Sequence, residues 1–203
     1  MMEAMTATPT QTSQPAAVAA DFPSAVPCEP GTILGIDPGL ERTGYAILTG
    51  TDRSGEARLR EAGIVRLLRG GSLEHRLAHL QESLETLIHT HRPSVLACEE
   101  LYAHYRHPRT AILMGHARGV IFAVAARCGL EVLPVAATHV KKILTGSGRA
   151  GKAQVQRAVA ATLRLPTVPQ PHDVSDAIAI ALCGLRLRRP PIKPPRGRKE
   201  ASA

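Results

Sequence analysis

Residues 33–48 read ILGIDPGLERTGYAIL, two apolar segments separated by a turn sequence. The first segment, Thr32–Asp37, stops at Pro38-Gly39, a pair that cannot continue a central strand. The second, Gly44–Thr49, follows after a short turn, which suits antiparallel pairing of two neighbouring strands. The sequence therefore predicts a sheet whose first strand ends on an acidic side chain.

The apolar patterns that follow indicate a mixed α/β domain. Arg58–Leu68 predicts a third strand, Ser94–Glu99 a fourth that is buried on both faces, and Glu131–Val135 a fifth. The predicted helices are Ser72–His91 with Ser72 as N-cap, Arg109–Cys128 ended by Gly129, Ala137–Leu144, Lys152–Leu163 and Val174–Leu187. In chain order these are three strands, a helix, a strand, a helix, a strand and three helices.

The composition fits one domain of ordinary size between two unusual ends. Residues 1–30 are rich in Ala, Thr, Pro and Gln without apolar periodicity, so we predict a disordered extension. Residues 188–203 are predicted to form a basic disordered tail. Residues 31–187 form the predicted domain. Hydrophobic residues make up 44% of the chain and aromatic residues 2%, so its core must be aliphatic.

Several classes of protein are disfavoured by the apolar runs and the cysteines. No apolar run approaches the roughly 18–20 residues of a membrane-spanning helix. No basic region followed by an apolar stretch is visible near the N-terminus, so no signal peptide is predicted. The four cysteines are far apart and form no C-x-x-C pair, which argues against a zinc ribbon or a disulfide framework. We expect a cytoplasmic protein without a membrane partner.

Positive charge is concentrated in the second half of the chain. The net charge is +8, and residues 106–172 carry ten basic side chains against Glu131 alone. Lys141, Lys142 and Arg149 belong to this segment. Such a surface predicts a polyanionic partner, because clustered Lys and Arg side chains bind phosphates. A basic surface that serves solubility alone is the alternative.

Four acidic residues lie at the ends of predicted elements. Asp37 ends the first strand, Glu99 ends the fourth, and Asp173 and Asp176 share one face at the start of the last helix. Open α/β sheets place their sites at the carboxyl ends of strands. Converging carboxylates repel one another without a cation, and Mg²⁺ or Mn²⁺ prefers such oxygen ligands. Two such ions are the usual device for phosphodiester hydrolysis.

Each of these acids also has an ordinary structural explanation. Asp37 in D-P-G can begin a turn, and Glu99 can simply be exposed where a strand ends. Asp173 can be the N-cap of the last helix, with Asp176 favouring the helix dipole. Their joint position at element ends, with basic residues filling the segment between them, favours the metal site.

A glycine-rich basic loop lies between two of the predicted helices. Gly146–Lys152, GSGRAGK, has the spacing of a phosphate-binding P-loop up to its lysine. However, Ala153 stands where that loop needs the Ser or Thr that binds Mg²⁺, and the preceding residues make a poor strand. A loop that lets the backbone and Lys152 approach DNA phosphates is the better interpretation.

Two further kinds of side chain near the acids are candidates. Tyr102 follows Glu99 by three residues, and with Tyr105 nearby in a chain poor in aromatics it predicts stacking on an unpaired base. A tyrosine that covers the edge of the core is the alternative. His172 directly precedes Asp173 and is a candidate metal ligand or proton shuttle.

Five segments together identify a family. They are ILGIDPGLERTGYAIL (33–48), LACEELY (96–102), GHARGV (115–120), HVKKILTGSGRAGKAQVQ (139–156) and HDVSDAIAIA (172–181). In this order they resemble the RuvC family of crossover junction endodeoxyribonucleases, from about residue 32 to residue 187. D-P-G alone would be a weak signal, whereas five motifs in the correct order are specific.

The resemblance implies a ribonuclease-H-like fold with a five-stranded mixed sheet flanked by helices. It implies a homodimer that binds four-way (Holliday) DNA junctions, nicks two opposing strands symmetrically in recombination and repair, and works beside the RuvA and RuvB branch-migration proteins. Each active site would hold two Mg²⁺ ions, with Mn²⁺ as the alternative metal.

The resemblance also extends to single residues. The positions that match the family's catalytic and DNA-binding residues are Asp37, Glu99, Tyr102, Lys141, Lys152, Asp173 and Asp176. Lys142 and Arg149, in the same basic segment, are further candidate DNA contacts. In some relatives a histidine replaces the first residue of the final acidic pair, so whether His172 or Asp173 binds the second metal is left open.

Other functions stay open at this point. A YqgF-like RNA-processing nuclease shares the D-P-G first strand, although the VKK…GKAQVQ segment and the D-x-x-D helix favour RuvC. A junction-binding module that recruits other proteins without cutting is a non-enzymatic alternative, against which the intact acidic set argues. An actin-like ATPase begins similarly but is usually much longer. The apolar stripe of Arg109–Cys128 is either part of a dimer contact or core packing.

Overall fold

A five-stranded sheet lies at the centre of the computed structural model, which describes residues 26–39, 41–50, 56–67, 70–100 and 108–188. The strands are β1 (Glu29–Asp37), β2 (Arg42–Gly50), β3 (Ala57–Arg66), β4 (Pro93–Glu99) and β5 (Glu131–Val135). The helices are α1 (Leu73–His91), α2 (Pro108–Arg127), α3 (Ala137–Thr145), α4 (Lys152–Thr162) and α5 (His172–Leu187). Within these described ranges no helix combines the length and the apolar character needed to cross a membrane.

The strand order in the sheet is β3-β2-β1-β4-β5. The first three strands pair in antiparallel fashion, whereas β4 lies parallel to β1 and β5 lies parallel to β4. Short connections allow the antiparallel pairs, and the helices α1 and α2 carry the chain back along the sheet before the parallel strands. The predicted mixed sheet and the predicted order of the elements are confirmed.

The N-terminal boundary of the sheet lies earlier than predicted. β1 begins at Glu29 rather than Thr32, because the Glu29 N–H donates to the Arg92 carbonyl next to the start of β4. The first strand therefore begins inside the predicted extension. The remainder of that segment up to residue 25, and the tail from residue 189, lie outside the described residues.

Two helix starts also differ in detail from the prediction. α5 begins at His172, two residues before the predicted Val174. Ser72 does occupy the predicted N-cap position of α1, but its Oγ lies 2.7 Å from His75 Nδ1 and makes no capping bond to the backbone. Leu68, the predicted last residue of the third strand, lies outside the described residues.

The sheet buries a separate aliphatic core on each face. Alternate residues of a strand point to opposite faces, so one register decides which side chains meet which helix. The face against α1 and α2 receives Leu34, Ile36, Ile47, Leu96 and Cys98. The opposite face, called the α5 face below, receives Ile33, Ala46, Leu48, Val95 and Ala97. Asp37 and Glu99 continue the second of these two series.

Glycines allow the backbone of α5 to rest directly on the sheet. A Cβ atom at Gly35 would lie 2.5 Å from the Ala177 carbonyl oxygen, and one at Gly44 would lie 2.1 Å from the Asp173 carbonyl oxygen. Real Cβ atoms do not approach other atoms so closely, so only glycine permits this approach. The start of α5 is thereby brought against the ends of β1 and β2.

A Gly35→Ala substitution is expected to lower the free energy of unfolding by about 1–3 kcal/mol, because the new methyl group overpacks this contact. Urea unfolding followed by circular dichroism measures the change. Gly50→Ala is the matched control, since its Cβ atom would meet the Leu185 side chain at an ordinary 3.4 Å. Equal losses in the two variants would contradict the expected tight contact at Gly35.

Candidate active site

Asp37 and Glu99 are the last residues of two neighbouring parallel strands. In the register of β1 and β4, Ile36 lies beside Cys98, so the two acids that follow are neighbours at the same end of the sheet. Ile36 and Cys98 point into the core beneath α1 and α2. The next residues, Asp37 and Glu99, therefore point to the α5 face. The two carboxylates meet at this end because strand register and alternation agree.

Asp173 and Asp176 lie in the first turns of α5, above the same end of the sheet. They are separated by three residues and share one face of the helix. The N-cap position is occupied by Pro171, and Asp173 is the second residue of the helix, so the interpretation of Asp173 as an N-cap is wrong. The close approach at Gly44 places this turn beside the end of β1, whose Asp37 pairs with Gly44.

Three carboxylates act electrostatically on the fourth, Asp37. The pKa of Asp37 is raised to about 7, and burial is the largest cause. The negative charges of Asp176, Glu99 and Asp173, in decreasing order, act in the same direction. The Lys152 ammonium lowers the pKa of Asp37 and partly offsets them. Asp37 is therefore the carboxyl group on which the other three converge.

The pKa of Glu99 is also raised. Burial is the largest cause of its raised pKa, followed by the charge of Asp176. Lys141, Arg118 and Lys152 lower the pKa of Glu99, in that order. Two carboxyl groups with raised pKa values and several nearby cations are typical of a functional site rather than of a solvated sheet end.

Both acids of α5 are paired with basic side chains from other elements. Lys152 Nζ lies 2.9 Å from Asp176 Oδ2, and this hydrogen bond is the main cause of a raised pKa for Lys152. Arg42 Nε lies 3.4 Å from Asp173 Oδ2. Lys152 is the first residue of α4 and Arg42 the first of β2. The sequence predicts Lys152 at this site, whereas no sequence pattern points to Arg42.

The donor chemistry of this site fits a hard divalent cation. All four acids offer carboxylate oxygens, the ligands that Mg²⁺ and Mn²⁺ prefer. Asp173 Oδ2 is buried and lacks a hydrogen-bond partner among the residues that the structure describes, because its contact with Arg42 has the distance of an ion pair but not the geometry of a hydrogen bond. Across the described ranges, no three His, Cys, Asp or Glu side chains already stand as a ready metal cluster. Arg42 and Lys152 act as the counter-ions of the two acids of α5.

The predicted basic residues lie on α3 and in the turn before α4, the helix that begins with Lys152. Lys141 and Lys142 are on α3, the first half-buried and the second exposed, and Arg149 is exposed in the turn before α4. Of these three, Lys141 is the one whose charge acts on Glu99. The loop Gly146–Lys152 joins two helices, so the strand that a P-loop requires is absent and that interpretation is excluded.

The aromatic candidates and His172 have different outcomes. Tyr102 and Tyr105 lie outside the described residues. His172 Nδ1 lies 2.5 Å from Gln156 Nε2, and because an amide nitrogen can only donate, Nδ1 is the acceptor. Gln156 thus orients the imidazole at the start of α5. Sequence reasoning did not single out Gln156, since it lies sixteen residues before His172 and on a different helix.

The raised pKa of Asp37 has a consequence for the stability of the metal-free protein. In the unfolded chain an aspartate titrates near pH 3.9. Between about pH 4 and pH 7 the folded state therefore binds more protons than the unfolded state, and the free energy of unfolding falls as the pH rises. Asp37→Asn should stabilise the protein by about 2–4 kcal/mol at pH 8, and the gain should vanish toward pH 4.

Urea unfolding in EDTA at several pH values measures this difference. Glu82→Gln, an exposed position on α1, is the control and should shift stability little at any pH. A gain for Asp37→Asn that stays constant from pH 4 to pH 8 would show that it does not come from the titration of Asp37.

A known protein family matches the chain from the first strand to the last helix. The family model described as "Crossover junction endodeoxyribonuclease RuvC" matches residues 33–184. The chain is 48% identical over 170 residues to the crossover junction endodeoxyribonuclease RuvC of Rhodopirellula baltica, a match that covers 83% of this chain and 94% of that protein. It is 43% identical over 155 residues to the RuvC of Koribacter versatilis, covering 75% and 91%.

Solved structures give the same answer for the fold. The Thermus thermophilus RuvC structure superposes with a TM-score of 0.71 at 29% identity, covering 77% of this chain and 95% of that one. Thermus thermophilus RuvC in complex with a Holliday junction substrate gives a TM-score of 0.70 at 26% identity, with the same coverage. The ribonuclease-H-like fold is confirmed for the described part of the chain.

Proposed function

The chain belongs to the RuvC family of crossover junction endodeoxyribonucleases, and we propose that it resolves four-way (Holliday) DNA junctions by nicking two opposing strands symmetrically. Its place would be homologous recombination and DNA repair in the cytoplasm. The observation that carries the proposal is the convergence of four carboxylates and one lysine at the end of β1. This set lies within the residues that the family model matches.

Membership of this nuclease family implies dependence on a divalent metal. We assign the metal ligands as Asp37, Glu99, Asp173 and Asp176, and the metal as two Mg²⁺ ions, with Mn²⁺ able to replace them. When bound, such ions polarise the scissile phosphate and make a water molecule more acidic. The raised pKa of Asp37 supports this assignment, because a nearby cation stabilises the ionised form of a buried carboxyl group.

Lys152 is proposed to act on the phosphate itself. Its ammonium lies 2.9 Å from Asp176 and within electrostatic range of Asp37, so it already faces the place where negative charge grows during hydrolysis. It is 56% exposed, and DNA can therefore reach it. A positioned cation stabilises the transition state more than the ground state. Lys152 thus combines the roles of counter-ion to the free site and stabiliser of the reacting phosphate.

Junction binding is assigned to the basic segment around the site. Lys141 acts electrostatically on Glu99, Lys142 and Arg149 are exposed in the same segment, and Thermus thermophilus RuvC has been solved with a Holliday junction substrate. Tyr102 is proposed to stack on an unpaired base, as expected from its place three residues after Glu99. Binding through phosphates makes the affinity fall steeply with salt.

A homodimer is proposed because a two-fold substrate calls for two equal sites. On α2, Ala117 and Ile121 are buried in the core, so core packing accounts for one side of this helix. The other side leaves Ile112 62% exposed, with Gly115 and Gly119 exposed on the following turns. We assign this second side to the dimer contact. RuvA and RuvB, the branch-migration proteins, are the proposed partners by membership of the family.

The test is cleavage of a labelled, mobile four-way junction in Mg²⁺, in Mn²⁺ and in EDTA, with linear duplex and structured RNA as competing substrates. We expect paired symmetric nicks that require metal and spare the duplex. Sedimentation of the same protein should show a dimer. Tight junction binding without cutting in either metal would overturn the catalytic assignment in favour of a recruitment module. Preferential cutting of the RNA would favour a YqgF-like activity.

A further inference from the structure

We propose that Arg42 and Arg66 together bind one backbone phosphate of the cleaved strand beside the four carboxylates, and that Arg42 exchanges Asp173 for this phosphate when DNA binds. The inference rests on the proposed function, because it needs a DNA strand in the site. It adds a phosphate contact on β2 and β3 to the contacts proposed for α3 and α4.

The two arginines are direct cross-strand partners. Arg42 begins β2 and pairs with Arg66, the last residue of β3. Two positions further into the same ladder Gly44 pairs with Ile64, and two positions beyond that Ala46 pairs with Ala62. Both pairs lie on the α5 face. Side chains of paired residues in an antiparallel ladder point to the same face, and alternation returns to it every second residue. Both arginines therefore leave the sheet on the face that carries the carboxylates.

This arrangement is electrostatically incomplete without an anion. Like charges directly opposite each other on a ladder are destabilising. Asp173 compensates Arg42, whereas Arg66 forms no ion pair with any residue in the described ranges. Both arginines are exposed. Among the described residues, Arg66 thus lacks the ion pair that Arg42 has, and a phosphate diester placed between the two guanidinium groups would compensate both charges.

The contact between Arg42 and Asp173 is weak enough for Arg42 to leave Asp173 for a phosphate. The Arg42 side chain is 53% exposed, and its Nε lies 3.4 Å from an oxygen that accepts no hydrogen bond. Such exposed pairs contribute little to stability. Guanidinium and phosphate form shorter, often bidentate hydrogen bonds, which are the stronger contacts. Arrival of a phosphate would therefore draw Arg42 away and leave Asp173 free to bind the metal.

The first test measures junction binding by the full chain in EDTA over a range of salt concentrations. Arg42→Gln and Arg66→Gln should each weaken binding roughly tenfold, as for loss of a charge-assisted contact. Each should also make the slope of log affinity against log salt shallower by about one. Arg58→Gln, exposed at the other end of β3, is the matched control and should bind like the parent chain.

The second test measures Mn²⁺ binding without DNA by electron paramagnetic resonance. Arg42→Gln removes a competing cation from Asp173, so Mn²⁺ should bind more tightly, whereas Arg66→Gln should leave the affinity unchanged. Equal Mn²⁺ affinity in Arg42→Gln and the parent chain would overturn the exchange. Junction affinities of both variants equal to that of Arg58→Gln would overturn the phosphate site. Failure of the parent chain to bind or cut junctions would instead overturn the proposed function.

Discussion

Asp37→Asn is expected to reduce the rate of junction cleavage by about 10³-fold or more, since groups that act as one catalytic unit fail together when one is removed. Asp37 is the carboxyl group on which the charges of Asp176, Glu99 and Asp173 converge. An amide keeps the shape of the side chain but cannot supply the negative charge that a divalent cation needs. Single-turnover cleavage of a labelled four-way junction measures the loss.

Junction binding separates a chemical defect from a folding defect. In EDTA, Asp37→Asn should bind the junction at least as tightly as the parent chain, because one negative charge beside the phosphates has been removed. Glu100→Gln is the matched control: it changes the acid next to Glu99, is exposed, and has its N–H bonded to the Val135 carbonyl. A cleavage rate of Asp37→Asn within tenfold of that of Glu100→Gln would contradict the assignment.

Lys152→Met should lower the cleavage rate by about 10²-fold at saturating enzyme, while junction affinity falls much less. The Lys152 ammonium faces both Asp176 and Asp37, and a preorganised donor aimed at developing charge is worth factors of this size. The same change removes the cation that lowers the pKa of Asp37, so that pKa should rise further. Comparison of the single-turnover rate with the dissociation constant separates the two effects.

A pair of variants distinguishes catalysis from charge alone. Lys152→Arg keeps the positive charge and should recover part of the lost rate. Lys142→Met removes an exposed lysine of the neighbouring α3, and it should weaken binding and flatten the salt dependence without lowering the saturated rate. If Lys142→Met and Lys152→Met lower the saturated rate equally, Lys152 is a binding residue only.

Much of this site is predictable from sequence because local rules place most of it. Asp37 and Glu99 each follow an apolar run that predicts a strand. Once the two strands are parallel neighbours, their register brings the two acids side by side. The spacing of Asp173 and Asp176 puts them on one helix face whatever the tertiary structure. The glycine-rich loop that ends at Lys152 predicts that this lysine approaches phosphates. Sequence alone therefore predicts these residues, and the resemblance to the family implies their roles.

The features that the sequence does not predict depend on how distant segments pack against one another in the folded chain. Arg42 meets Asp173 because Gly44 lets α5 lie against β2, and nothing local to Arg42 signals that contact. The general preference of aspartate for N-cap positions makes Asp173 a candidate N-cap, yet Pro171 occupies that position. The exposed side of α2 carries a period like that of a core helix, so the pattern alone does not separate packing from assembly.

The direct seating of α5 on the sheet divides the site into two mechanical parts. Its acidic half is fixed to buried backbone in β1, β4 and α5, where local opening is costly. Its basic half, represented by Arg42 and Lys152, consists of long side chains that are more than half exposed. A frame of fixed anions therefore keeps the chemistry at one point, while an adjustable rim of cations can follow DNA arms whose angles differ from one junction to the next.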